Sequence, residues 1–391
     1  MNVYADNAAT TRMSQAAVDA MLPFLRESYG NPSSLYTLGQ KAAESLQASR
    51  ETMAKYLGCD AREITFTSGG SEADNQALLT AATLGARKGK KHIISTAFEH
   101  HAILHSLKRL EKQGFEVTLL DVHENGLVTA QQVADAIRED TCLVTVMYAN
   151  NEIGTIQPIA EIGAIAKEHG IWFHTDAVQA YAHVPIDVNE SGIDMMSASG
   201  HKFGGPKGIG FLYIRSNVRI RAFIHGGAQE RGRRAGTENV PGIVGMGKAS
   251  ELAMETMEER AEREVELREY LIERVMERIP YTRVNGHRTL RLPNNVNFAF
   301  QFIEGESLLI VLDSKGICAS SGSACSSGSL EPSHVLMATG LPKDIAHGSL
   351  RLTLGEENTK EELDYVVDCM EETVKRLRKM SPKYEAFITA Q

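Results

Sequence analysis

One stretch of the sequence places a single lysine on a glycine-rich turn. A short run that starts at Asp194 ends in Ser199-Gly200-His201-Lys202, and a second apolar run covers Phe211 to Ile214. We interpret the stretch as strand, tight turn and strand. Partial desolvation of a lysine on such a turn lowers its pKa and makes the amine a nucleophile toward carbonyl groups. The alternative is a solvated lysine on a hairpin.

A second candidate is a phosphate-binding turn near residue 70. The short β-branched run Ile64–Thr67 leads into Ser68-Gly69-Gly70-Ser71-Glu72, and a helix is predicted from about Ala73 to Lys88. Backbone N–H groups and the helix dipole favour an anion at such a position, and the Ser71 hydroxyl could add a bond. A turn without a ligand is the alternative.

A third candidate is the thiol of Cys325, which lies in the Ser- and Gly-rich segment Ile317–Ser329. Small neighbours would let a loop carry a thiol between two positions. Because an ordinary thiol has a pKa of about 8.5, a nucleophilic role requires a nearby base. An inert thiol is the alternative, and Cys318 on the same segment is expected to pack in the core.

The elements that must position these residues alternate between strands and helices from residue 64 onward. Strands are predicted at His92–Ser95, Glu116–Leu120, Leu143–Met147 and Ile171–His174, with helices between them. This order favours an α/β fold with a mostly parallel sheet whose ligands bind beyond the carboxyl ends of the strands. Candidate residues follow the strands repeatedly: Gly70, Ser71, Glu99, His100, Asn150, Asn151, Asp176 and Gln179.

The remainder of the chain is predicted to form a smaller α+β domain. A long helix is expected from Val240 to Arg278, with the hinge inside it, and the closing helix from Thr359 to Lys379. We assign residues 13–260 to a large domain, and residues 1–12 and 261–391 to the small domain that carries Cys325.

Composition limits the classes of function. The chain has 391 residues, a net charge of −9 and five cysteines without paired metal-ligand spacing. A broad nucleic-acid or anionic-membrane surface is therefore not expected, nor is a transmembrane segment, a disulfide framework or a metal site. The amino terminus lacks the features of a signal peptide, so we expect a cytoplasmic protein. The Gly- and Arg-rich loop between Arg215 and Val240 is expected to close over an anion or to dock at a subunit interface.

A lysine, a carboxylate at a strand end and a phosphate-binding turn together suit one cofactor. Pyridoxal phosphate needs an amine for its aldehyde, a carboxylate for its ring nitrogen and donors for its phosphate. Lys202, Asp176 and the Gly70 turn are the candidates. A dinucleotide oxidoreductase is disfavoured because the Gly69-Gly70 turn lacks the required glycine spacing.

Ten motifs in order resemble those of pyridoxal-phosphate cysteine desulfurases of the NifS/IscS type, which belong to the class-V aminotransferases. They are Asp6–Thr11, Gly30–Ser34, Phe66–Glu72, Glu99-His100, Asn150–Gly154, His174–Gln179, Ser199–Lys202, Arg234–Asn239, Ser321–Cys325 and Arg351. The resemblance implies the fold of a fold-type I enzyme with a seven-stranded, mostly parallel sheet.

The resemblance also implies a role for each matching residue. Lys202 would bind the cofactor's aldehyde and move the substrate's α-proton, Asp176 would pair with the ring nitrogen, and His100 would stack on the ring and act in proton transfer. Gln179 and Asn151 would bond the ring's O3′ side. The phosphate would be held by Gly70, Ser71, Ser199, Gly200 and His201, with Thr237 reaching across a homodimer. Arg351 would bind the carboxylate of L-cysteine, with help from Asn31 and Asn151.

By the same resemblance, Cys325 would take the sulfur of L-cysteine as a persulfide, release L-alanine and pass the sulfur to an iron–sulfur scaffold or another acceptor. It could also transiently ligate a cluster bound to the scaffold. Two features depart from the pattern: Tyr36 stands where many relatives have histidine, and the tail after Ser381 is short.

The sequence leaves three alternatives to a cysteine desulfurase open. A selenocysteine lyase or an aminotransferase would keep the cofactor and change the reaction, and selenium chemistry would depend less on Cys325. An idle binding subunit would keep partners without needing Lys202.

Overall fold

A seven-stranded sheet forms the centre of the molecule. The computed structural model describes residues 1–321 and 331–390. The strands run in the order β2, β8, β7, β6, β5, β3, β4, and β8 alone is antiparallel to its neighbours β2 and β7. Their bounds are β2 Ile64–Thr67, β3 His92–Thr96, β4 Glu116–Leu120, β5 Thr141–Thr145, β6 Trp172–Asp176, β7 Met195–Ser199 and β8 Gly210–Ile214. The predicted α/β fold class is confirmed.

Helices cover both faces of this sheet because successive side chains of a strand point to opposite sides. Ile93 and Leu143 belong to one apolar cluster, whereas the adjacent Ile94 and Val144 belong to another. The helices of this part are α1 Gln15–Arg26, α2 Thr37–Leu57, α3 Gly70–Ala86, α4 His101–Glu111, α5 Ala130–Ala136, α6 Ile159–Glu168 and α7 Val240–Glu255.

A smaller antiparallel sheet packs with the carboxyl-terminal helices. Its strand order is β12, β10, β9, and a separate parallel pair joins β1 to β11. The strands are β1 Val3–Tyr4, β9 Thr282–Asn285, β10 Asn295–Phe300, β11 Ile317–Cys318 and β12 Ser349–Thr353. The helices are α8 Met257–Arg278, α9 Gly305–Ser314, α10 His334–Ala338, α11 Lys343–Ala346, α12 Lys360–Lys379 and α13 Pro382–Thr389.

Local sequence signals explain several element ends. Ser14 caps α1 by accepting a bond from the Ala17 amide at 3.2 Å, as its position before the periodic residues indicates. Gly58 ends α2 with a left-handed φ of 69°, which costs a glycine little. In the part of the chain that the structure describes, no helix is both long enough and apolar enough to cross a membrane.

Two expectations about local structure are wrong. The predicted single helix from Val240 to Arg278 is divided into α7 and α8, which meet at Thr256. Cys318 is exposed rather than packed in the core. In the β1–β11 pair, Val3 and Ile317 lie opposite each other and are buried, whereas the next pair, Tyr4 and Cys318, faces solvent.

Candidate active site

Lys202 lies where β7 ends, on the 3-10 turn Gly200–Lys202. Its Nζ donates hydrogen bonds to the carbonyl oxygens of Ala8 at 2.6 Å and Ala9 at 2.9 Å. The Gln179 side-chain amide also donates to Ala8, at 2.9 Å. The amino-terminal segment therefore brings together two residues that the sequence predicts for the cofactor.

Asp176 ends β6, and its carboxylate is buried at 5% exposure. The Val178 amide donates to Asp176 Oδ1 at 2.9 Å. Burial raises the pKa of Asp176, while this amide and the nearby Lys202 charge oppose the rise. A carboxylate supported in this way can pair with a protonated ring nitrogen.

His100 precedes α4 and caps it, since its Nδ1 accepts a bond from the Ala102 amide at 3.1 Å. Burial first, and then the charge of Lys202, lower the pKa of His100 to about 4. The ring is therefore neutral near pH 7. With Nδ1 occupied as an acceptor, Nε2 is the nitrogen that carries the proton.

Three polar side chains converge at this point. One ligand atom each of Asp74, His100 and Asp176 lie within 4.8 Å of one another. Asp74 is 1% exposed and lies in α3. Asp74 is not among the predicted site residues, because an aspartate inside a helix usually faces solvent. The signal in the sequence that points to it is its position one turn beyond the Gly70 turn.

The Gly69-Gly70 turn is closely packed. Gly69 has a φ of +151° in the region that favours glycine, and Gly70 begins α3. A Cβ added at Gly70 would lie 2.6 Å from Val178 Cγ2, and one at Gly210 would lie 2.7 Å from Gly69 Cα. Glycines thus keep a compact cradle at a helix amino terminus, which fits a phosphate group.

The other predicted phosphate ligands surround this turn to different degrees. Ser199 is buried, and its Oγ is 3.7 Å from where a Gly69 Cβ would stand. His201 Nδ1 lies 3.1 Å from Thr10 Oγ1, and burial with the Lys202 charge lowers the pKa of His201 to about 4. Ser71 and Thr237 are exposed.

Arg351 lies on β12 and is 1% exposed. Nη1 donates to the Asn151 carbonyl oxygen at 2.9 Å, and Nη2 donates to Asp6 Oδ1 at 2.8 Å. Ser320 donates to the other Asp6 oxygen at 3.0 Å. Among the described residues, Arg351 Nε is buried without a hydrogen-bond partner, so the guanidinium retains a donor for an anionic ligand.

Of the remaining predicted residues, Asn31 makes no contact of this kind and Cys325 cannot be placed. Asn31 is exposed, and its side-chain oxygen accepts a bond from the Ser33 amide at 2.9 Å. Cys325, the predicted nucleophile, lies outside the described residues. The described chain resumes at Glu331, and His334 on α10 places Nε2 2.9 Å from the Glu99 carbonyl oxygen beside His100.

The Arg- and Gly-rich loop after β8 is anchored by two ion pairs that connect distant parts of the chain. Arg50 and Glu230 form a buried bidentate pair with both N–O distances at 2.7 Å, and Glu230 also accepts from the Phe66 amide at 3.0 Å. Arg234 pairs with Glu72 at 2.9 Å, in the first turn of α3. The loop is therefore attached to the phosphate turn and its helix.

The residues present fit pyridoxal phosphate. An amine, a buried carboxylate, a neutral imidazole and a glycine cradle meet beyond the carboxyl ends of parallel strands, as the cofactor's aldehyde, ring nitrogen and phosphate require.

Comparisons with known proteins agree with this geometry. The aminotransferase class-V family profile matches residues 3–366. The cysteine desulfurase IscS of Methanosarcina thermophila is 57% identical over 97% of this chain and 94% of its own length. A protein of the same name from Clostridium botulinum is 54% identical over 99% of this chain and 98% of its own length.

Solved structures are similar over most of the chain. A NifS-like protein superposes with a TM-score of 0.91 at 40% identity and covers 96% of this chain and 100% of its own. A structure described as SspA in complex with cysteine has a TM-score of 0.81 at 37% identity, with coverage of 92% and 100%.

Fold and site define a pyridoxal-phosphate enzyme of fold type I. The chain belongs to the aminotransferase class-V family, and within it the resemblance to the NifS/IscS type is confirmed.

Proposed function

We propose that the chain is a cysteine desulfurase, which converts L-cysteine to L-alanine and retains the sulfur as a persulfide on Cys325. The prediction that the chain is a cysteine desulfurase is confirmed by relatives of that name at 54–57% identity over nearly the full chain. The observation that carries the chemistry is the convergence of Lys202, Asp176 and His100 beside a glycine cradle.

Bound pyridoxal phosphate supplies an aldehyde for the amine and a protonated ring that accepts electrons from bonds of the amino acid. Lys202 would hold the aldehyde and move the α-proton, while Asp176 would keep the ring nitrogen protonated. Gln179 and Asn151 bond the ring's O3′ side. Gly70, Ser71, Ser199, Gly200 and His201 hold the phosphate. The packing of the Gly70 turn supports this assignment.

His100 is the candidate for proton transfer, since one of its ring nitrogens lies within 4.8 Å of a carboxylate oxygen of Asp176. Its neutral ring can stack on the cofactor, and its Nε2–H can donate a hydrogen bond to a group that undergoes proton transfer.

Arg351 binds the substrate carboxylate. The guanidinium is buried and directed by Asn151 and Asp6, so a carboxylate that takes its remaining donors is held in a fixed orientation. Asn31 is the second residue assigned to this carboxylate.

The sulfur step balances without a further reagent. The Cys325 thiolate attacks the sulfur of L-cysteine, and the new S–S bond forms as the C–S bond breaks. The electron pair of the broken bond stays with the carbon, which takes up a proton and becomes the methyl group of L-alanine. The persulfide sulfur is then passed to an acceptor, and we propose an iron–sulfur scaffold protein as that acceptor.

The assembly and the domain division also belong to this proposal. Residues 13–260 form the large domain, and residues 1–12 and 261–391 the small one; a separate apolar cluster that joins Val3 and Ala5 to residues between Leu267 and Val374 supports the division. A homodimer in which Thr237 reaches the partner's phosphate site is supported by the exposure of Thr237 on the anchored loop. We place the enzyme in the cytoplasm.

The activity is tested by measuring L-alanine formed from L-cysteine. Lys202→Ala should abolish alanine formation, whereas Lys207→Ala in the same hairpin should retain it. Cys325→Ala should lose alanine formation from cysteine. If the Cys325→Ala variant loses activity on cysteine but keeps activity on selenocysteine, the selenocysteine lyase alternative is supported instead. Production of a keto acid would indicate an aminotransferase.

A further inference from the structure

Asp74 is a buried carboxyl that the proposed mechanism does not use. It lies on α3 at 1% exposure, and its Oδ1 has no hydrogen-bond partner among the described residues. One of its oxygens lies within 4.8 Å of a carboxylate oxygen of Asp176 and a ring nitrogen of His100. Two carboxyl groups are therefore placed together at the position assigned to the cofactor's ring nitrogen.

A hydrogen-bonded row of neutral side chains, Thr145, His174 and Ser197, lies next to Asp74. Thr145 Oγ1 lies 2.9 Å from His174 Nδ1, and His174 Nε2 lies 3.0 Å from Ser197 Oγ. Ser197 opposes the rise in the pKa of the Asp74 carboxyl. Complete burial lowers the pKa of His174 to about 3, so this ring brings no positive charge to Asp74 although the two side chains are 3.7 Å apart.

Asp176 has support that Asp74 lacks. The Val178 amide donates to Asp176 at 2.9 Å, and the positive charge of Lys202 stabilises its ionised form. Two buried carboxylates this close cannot both ionise without compensation. Burial, with the charges of Asp176 and Glu99, raises the pKa of Asp74 well above its usual range. The single proton of the pair therefore resides on Asp74.

We propose that Asp74 is a positioning residue that shares one proton with Asp176 and so fixes a single negative charge facing the cofactor's ring nitrogen. The inference rests on the proposed function, because Asp176 is assigned to the ring there. Neutral Asp74 leaves Asp176 ionised. When the Asp176 carboxylate is removed, Asp74 releases its proton and supplies the negative charge from its own position.

The test is a double-mutant cycle on cofactor affinity, measured by titrating pyridoxal phosphate into cofactor-free Asp74→Asn, Asp176→Asn, the double variant and the wild type. Asp74→Asn mimics the protonated acid and should weaken binding less than about threefold. The double variant should lose cofactor affinity by a factor at least about tenfold larger than the product of the two single-variant factors. That excess corresponds to a coupling free energy of about 1.4 kcal/mol. Losses that simply multiply, or a loss above about tenfold in Asp74→Asn alone, would overturn the proposal.

A second measurement decides the matter if the double variant does not fold. The titratable groups that face Asp74 are Asp176, Glu99, His174 and His100. Because its folded pKa is raised, Asp74 lowers wild-type stability progressively as pH rises from its unfolded pKa to its folded one. The melting temperature of cofactor-free Asp74→Asn, minus that of the cofactor-free wild type, should therefore increase as pH rises. A constant difference across this range would contradict the shared proton.

Failure of this proposal and failure of the proposed function can be told apart. The cycle reads only cofactor binding, whereas the function is read from alanine formed from L-cysteine. A wild-type protein that binds the cofactor and shows the coupling but makes no alanine would overturn the function alone. Normal alanine formation without coupling would overturn the role of Asp74 alone.

Discussion

The Arg351 guanidinium is held against the Asp6 carboxylate, with Nη2 donating to Oδ1 at 2.8 Å. These residues are 345 positions apart, and the β bridges that join Asp6 to Thr353 and Ser320 to Arg351 bring them together. A buried guanidinium that is already oriented needs little rearrangement to bind a substrate carboxylate.

Arg351→Lys should therefore weaken substrate binding more than it slows turnover. Lysine keeps the charge but loses the planar fork that contacts Asn151 and Asp6 at once. We expect KM for L-cysteine to rise about tenfold or more, with a smaller change in kcat. Steady-state kinetics of alanine formation provide the measurement.

Asp6→Asn is the matched variant because it leaves Arg351 in place. Asn151 still accepts from Nη1, so KM should change by less than it does in Arg351→Lys. Equal effects of the two substitutions, or an unchanged KM in Arg351→Lys, would exclude Arg351 as the carboxylate ligand.

Gly210→Ala should weaken pyridoxal phosphate binding. The added Cβ would lie 2.5 Å from the Ala198 carbonyl oxygen and 2.7 Å from Gly69 Cα, so the backbone of the phosphate turn must shift. We expect an affinity loss of about tenfold or more, measured by titration of the cofactor-free protein.

Gly208→Ala is the control in the same hairpin. Its Cβ would meet nothing within 4 Å, and only its φ of +74° is unfavourable for alanine. It should lose some stability and keep cofactor affinity. If Gly208→Ala and Gly210→Ala bind the cofactor equally, the close packing of the turn has no role in phosphate binding.

A part of the site can be predicted from the sequence when the residues that form it are close together along the chain. The Lys202 turn and the Gly70 turn are predictable because each is a local strand, glycine turn and following element. The position of Asp176 follows from the parallel sheet, which brings strand ends to one edge. These local and topological signals account for the fold class and the convergence of the candidate residues.

Contacts between segments far apart could not be predicted in the same way. Asp74 looks like an exposed helical residue until α3 is packed on the sheet, and no pattern pairs Arg50 with Glu230 across 180 positions. The helix break at Thr256 is not visible in the sequence, because the apolar spacing of the stretch continues through it. Cys318 was misplaced because its partner strand, β1, has only two residues.

Arg50→Met should destabilise the protein strongly. It leaves the Glu230 carboxylate buried at 3% side-chain exposure without its bidentate partner. Removal of one partner of a buried pair costs about 3–5 kcal/mol. Urea unfolding of the cofactor-free protein measures the change in the free energy of unfolding.

Arg50→Met combined with Glu230→Gln should recover part of this loss, because the neutral amide no longer requires a buried counter-charge. A single variant that unfolds like the wild type would show that the ion pair does not hold the loop in solution. A double variant no more stable than the single one would show that lost packing, not charge, dominates.

Acid should destabilise the protein through histidines whose pKa is lowered in the folded state, His183 among them. Burial lowers the pKa of His183 to about 4, with the Arg260 charge adding to the effect. Below the ordinary histidine pKa of about 6.5 the unfolded chain takes up the proton first, so this contribution is lost as pH falls toward about 4.

His183→Gln should make that fall in melting temperature shallower. Glutamine retains an N–H for the Lys202 carbonyl oxygen, which lies 3.0 Å from His183 Nε2. His123→Gln, at an exposed position, is the control and should leave the acid slope unchanged. Identical acid slopes in wild type and His183→Gln would contradict the burial argument.

The most direct test of the account is mass spectrometry of the Cys325 peptide after brief exposure of the cofactor-loaded enzyme to L-cysteine. We expect the mass of one added sulfur on Cys325, its absence in Lys202→Ala, and no such addition on the exposed Cys318. An unmodified Cys325 while alanine accumulates, or sulfur that appears on Cys318 instead, would contradict the account.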